Sequence, residues 1–158
     1  MCGQPLFYRL LSIYLDIRTA ADRRLKAAVE QFHSSVASML KTPKDVPDEI
    51  LQAIDMLSKT AFAPGSERHL ARIIRNGKQP SPRSRDMMRD LAGMRPEMQD
   101  LFALAAVSWI TIMTHKSVVG GIRVASTLER AGTGRISRDA ADTAIPAVGK
   151  MVGASCAA

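Results

Sequence analysis

Apolar residues recur in steps of three and four from the start of the chain: Leu6, Leu10, Ile13, Ile17, Ala21, Leu25, Ala28, Phe32, Val36 and Met39. This period predicts a long helix from Pro5 to Leu40, with Arg9, Asp16, Arg23, Lys26 and Glu30 largely off the stripe. Its first third differs from the rest. Phe7, Tyr8, Leu11, Tyr14 and Leu15 make that part apolar nearly all round. A helix of this kind is packed inside its own domain, paired with another chain, or laid in an interface. These five residues are the expected partner or oligomer contact, with contact at a membrane surface as a further reading.

Pro43 and Pro47 close this helix, and Pro47 is placed to open a second one carrying Ile50, Ile54, Leu57 and Ala61 on one face. Gly65 ends it, and Ser66 is expected to cap a third helix that stops at Asn76-Gly77. Ser81 and Pro82 start a short helix through Met87, Met88 and Leu91. Pro96 starts a central one, with Glu97 and Asp100 near its positive end and His115 and Lys116 near its negative end. Its run Leu101–Thr114 is the longest apolar stretch of the chain. It is well short of the roughly 20 residues that cross a bilayer, so it reads as a buried core helix, with a membrane-inserted segment as the lesser alternative.

Gly120-Gly121 is expected to break or kink the chain beyond the central helix, where Val118, Ile122, Ala125 and Leu128 form the next apolar face. Ser137 is placed to cap a short helix reaching Ile145. No alternation of strand type runs for more than a few residues. The expected fold is therefore all-α: a compact bundle of about five to seven helices, with a long N-terminal helix and a central apolar helix. One domain is expected over residues 1–145, with a frayed tail over residues 146–158.

Composition agrees with that picture. Of the 158 residues, 46% are apolar and 23% charged, which suits a folded core rather than a disordered chain. Aromatics are only 4% and methionines number nine, a mixture suited to packed helices. Cys2 and Cys156 stand near opposite ends and suggest free thiols in a reducing compartment, so a cytoplasmic location is expected. The opening segment lacks the basic n-region and clear cleavage site of a secretory signal.

Charge changes the picture more. The net charge is +7, and Arg68, Arg72, Arg75, Lys78, Arg83 and Arg85 fall in a stretch without one acidic residue. Arg68, Arg72 and Arg75 lie at i, i+4 and i+7, one face of a helix, with Leu70, Ile73 and Ile74 opposite. This stripe is either a solvated face or a contact for phosphates or an acidic partner.

Catalytic chemistry finds little support. His33, His69 and His115 have no ligand at metal-binding spacing, and no serine stands in a nucleophile elbow. The glycines at 120–121 and 132–134 lack the strand and lysine of a phosphate loop. Asp139 and Asp142 are one helical step apart but sit near a terminus expected to be solvated. No enzyme activity, metal, cofactor or small-molecule substrate is expected. The expectation is a helical adaptor or regulator that binds a protein partner or a second copy of itself. A nucleic-acid-associated protein using the basic helix, and a peripheral membrane protein using the N-terminal helix, are the alternatives.

Overall fold

The computed structural model describes residues 4–75, 81–130 and 145–151. Among them the chain is all-α, as the periodicity predicts. In order the helices are α1 (Gln4–Leu40), α2 (Asp48–Phe62), α3 (Ser66–Arg75), α4 (Pro82–Gly93), α5 (Pro96–His115) and α6 (Val118–Arg130). A 3-10 turn at Pro43–Asp45 joins α1 to α2. A further helical segment, α7, covers residues 145–151.

The central helix is α5. It buries Met98, Phe102, Ala105, Ala106, Trp109, Ile112 and Met113, which explains its apolar run. Trp109 is fully buried, and its indole N–H donates to Thr60 Oγ1 of α2 at 3.1 Å. The α1 helix packs against α5 through Ala28, Phe32, Ser35 and Met39. There the Ser108 hydroxyl donates to Gln31 Oε1 at 3.2 Å. Leu25 and Val29 lie near Ile112 and Lys116, so α1 and α5 run antiparallel.

α1 has 37 residues, or about 55 Å at 1.5 Å per residue. Among the described side chains, those that meet the bundle begin at Ala21. Every residue from Leu11 to Ala20 is exposed, and Leu11, Ile13, Tyr14, Leu15 and Ile17 are 41–64% accessible. Burial within the domain, one of the readings of this apolar segment, is thereby removed over these residues. The helix runs past the end of its antiparallel neighbour. The side chains of Phe7 and Tyr8 lie outside the described residues.

Local signals set most boundaries. Ser81 Oγ accepts the Ser84 N–H at 3.1 Å and Pro82 follows, the expected start of α4. Pro47 sits just before α2 rather than inside it. Two expectations need correction. Weak patterning predicts a tail frayed from residue 146, yet Ala147, Val148 and Met151 are buried. Gly149 makes this burial feasible, because a Cβ there would stand 2.7 Å from Ser84 Oγ of α4. Gly120-Gly121 does not break the chain either. The break falls at Lys116-Ser117, and α6 passes through both glycines. Its buried face is Gly120, Gly121 and Val124, leaving Ile122 66% exposed. Asn76-Gly77, the Ser137 helix, Asp139, Asp142, Cys2 and Cys156 lie outside the described residues.

Candidate functional site

The arginine helix is placed by the turn before it. Gly65 has φ +75°, a left-handed conformation that favours glycine, and its carbonyl accepts the N–H groups of Arg68 and His69 at 3.1 and 3.2 Å. Residue type alone makes Ser66 the cap of α3. Its hydroxyl instead points back to the carbonyls of Thr60 at 2.7 Å and Ala63 at 2.9 Å, at the end of α2. From there α3 turns Leu70 and Ile74 into the core and leaves Arg68, Arg72 and Arg75 exposed.

Beside α3 runs α6, in the same direction. The two start close together: a Cβ on Gly120 would collide with Glu67 Cγ, and one on Gly121 with the Thr114 carbonyl oxygen. Glycine at both positions lets α6 lie tightly against α3 and the end of α5. Val124 then enters the core, and Arg123 stands on the outer side facing the α3 arginines.

The result is a groove of about 600 Å³ lined by Arg68, Arg72, Arg75 and Arg123 together with Ala71, Ser126 and Thr127. Among the described residues no acidic or aromatic side chain lines it. None of the four guanidinium groups forms an ion pair or hydrogen bond with a described residue. The hydroxyls of Ser126 and Thr127 donate to the Arg123 carbonyl at 3.2 and 2.6 Å.

The sequence stretch is thus divided by the fold. Three of its six cations meet in the groove. Arg83 is half-buried on α4 and pairs with Glu49 at 3.2 Å. Arg85 is exposed on α4, outside the groove lining. Lys78 lies outside the described residues. Arg123, which completes the groove, carries no signal of its own in the sequence. It follows the two glycines by a short step, and only the docking of α6 on α3 reveals its use.

A second cluster sits at the root of the groove. Lys116 Nζ donates towards the carbonyls of Thr60 at 3.4 Å, Ala61 at 3.2 Å and Ala63 at 2.8 Å, and to Ser66 Oγ. These are the open carbonyls at the end of α2, which have no partner in their own helix. Glu67 lies 3.4 Å from the same ammonium and is buried, its Oε2 without a hydrogen bond. Burial pushes the Glu67 carboxyl up, but its backbone N–H and the Lys116 charge outweigh that and hold it below the ordinary value. Burial of Lys116 lowers its own pKa, against the pull of Glu67. This cluster ties together α2, α3 and the α5–α6 turn, where Ser117 Oγ accepts the Gly120 N–H at 2.9 Å.

The histidines do other work. His33 stacks on Phe62 with centroids 6.2 Å apart, and His115 Nδ1 lies 2.9 Å from the Thr111 carbonyl. Among the described residues no three His, Cys, Asp or Glu side chains gather as a metal site. Nor is any described helix long and apolar enough to cross a membrane.

The chain matches no protein-family model, no curated protein and no solved structure, so functional assignment rests on the geometry of these residues.

Proposed function

We propose that this is a non-catalytic binding protein whose α3–α6 groove takes the sugar–phosphate backbone of a nucleic acid. One observation carries the reading: four arginines from two helices converge on one groove, with no ion-pair partner and no acidic lining among the described residues. Arginine presents a planar fork that matches phosphate oxygens and keeps its charge at any physiological pH. From Arg68 to Arg75 the helix rises about 10.5 Å, enough to meet successive phosphates along a strand. With no aromatic side chain in its described lining, the groove is not suited to base stacking or to single-strand recognition of that type. A net charge of +7 adds long-range attraction to a polyanion. Its described lining holds no nucleophile–base pair, so recognition suits it better than reaction.

The test is fluorescence anisotropy with a labelled duplex at varied potassium chloride. Four neutralised phosphates give a slope of log K against log salt near −3.6, a weakening of roughly 100-fold between 50 and 200 mM. Arg72→Glu should lower the affinity and flatten that slope by about 0.9. Reversing Arg68, Arg72, Arg75 and Arg123 together should abolish binding while helicity is retained. Equal binding by that variant, or binding only to an acidic protein, would reject the nucleic-acid reading.

A further inference from the structure

The projecting half of α1 carries a second pattern, rotated away from the stripe that packs on α5. Leu11, Leu15, Arg18, Asp22, Leu25 and Val29 follow one another in steps of four, three, four, three and four. That is the spacing of a seam between two supercoiled helices. Leu11, Leu15, Arg18 and Asp22 are exposed, and Leu25 and Val29 are half-buried at the edge of the bundle. Leu25 and Val29 border a largely apolar recess of about 390 Å³ that also involves Phe62, Pro64 and Ile112, with Glu67 and Lys116 in its lining.

The pattern is self-complementary when the helix is reversed. With a two-fold axis at Ala20, Leu11 meets Val29, Leu15 meets Leu25, and Arg18 meets Asp22. Each pairing occurs twice, as an isologous interface requires. Arg18 and Asp22 are one helical turn apart, yet neither forms an ion pair within the described chain. The flanking positions bring no like charges together: Ser12, Thr19 and Lys26 lie on one side, Tyr14 and Ala21 on the other. A lipid surface fits less well, because it would bury an acid and a base in the middle of the apolar line without a partner for either.

We propose that the protein forms a two-fold dimer through antiparallel pairing of α1. Leu11 and Leu15 of each copy dock on Leu25 and Val29 of the other and cover the recess beside Phe62. Arg18 and Asp22 of the two copies pair reciprocally at the centre and fix the register.

Sedimentation equilibrium of the full chain over roughly 1–100 µM tests this, at concentrations where a specific homodimer of ordinary affinity is populated. A dimer is expected. Arg18→Asp and Asp22→Arg should each weaken it by about tenfold or more, and the two together should restore it, because the pair is then re-formed with its signs exchanged. Leu15→Asp should give a monomer with unchanged circular dichroism, whereas Ile17→Asp, off the seam, should remain a dimer. A monomeric wild type overturns the proposal, including one that pellets with anionic phosphatidylserine vesicles. So does a double reversal that fails to restore the dimer, or an Ile17→Asp variant that dissociates while Leu15→Asp does not.

Discussion

Lys116 holds three elements with one ammonium, and its loss exposes two kinds of cost. The α2 carbonyls lose one donor, leaving those of Thr60 and Ala63 to Ser66, and Glu67 becomes a buried charge without a counterion. Breaking a buried pair from one side destabilises by roughly 3–5 kcal/mol, so Lys116→Met should fall in that range in urea melts. Adding Glu67→Gln should recover part of it, since no bare carboxylate is then left inside. The pH dependence has its origin in the same pair. Glu67 titrates below its ordinary value in the fold, so its contribution is full above the ordinary carboxylate range. That contribution is lost as pH falls through the lowered pKa. Lys116 also titrates below its ordinary value, because burial disfavours its charged form, so stability rises in the same direction as pH passes from its lowered pKa towards the ordinary lysine range. Stability should therefore decline on the acid side, and Glu67→Gln should flatten that limb in melts taken across pH.

At the scale of elements, the glycines of α6 have the most specific consequence. A methyl group on Gly121 would strike the Thr114 backbone carbonyl, which cannot swing aside. On Gly120 it would meet the flexible Glu67 side chain and Ser117 hydroxyl. Both alanine variants should be destabilised by about 1–3 kcal/mol, Gly121→Ala the more so, as thermal melts would show. The same pair marks where sequence reading stops. Glycine in a helical pattern reads as a break, because locally it weakens a helix. Here contact with another element outweighs that weakness, and no local signal carries the contact. Helix starts are legible at Ser81-Pro82 and Pro96, because capping and proline geometry act within a turn. Ser66 looks equally good as a cap, but the end of α2 competes for its hydroxyl.

For the whole molecule, the core and the charged surface differ in how far they can be read. Trp109 lies in an apolar run that no helix of a small bundle can leave in water, and it is fully buried. Trp109→Ala should cost about 3–5 kcal/mol, measured by chemical denaturation, with the indole fluorescence of the wild type blue-shifted before unfolding. The arginine stripe is legible as a stripe, since its spacing is local. Its partner Arg123 is not, because the two meet only through the packing of α6 on α3. Likewise, the periodicity of α1 sets its length without showing where α5 ends beneath it.

That packing has a mechanical side. The two arginine-bearing helices leave a common root, where Gly120 rests on Glu67 and Lys116 fastens Glu67 to the end of α2. The groove is therefore built like a pair of tongs with its pivot inside the protein and its charged arms in solvent. A wedge at the pivot opens the arms. Gly120→Ala, which touches no arginine, would spread Arg123 from Arg72 and so weaken the proposed hold on a polyanion, while the total charge and the distant attraction it exerts remain as they were.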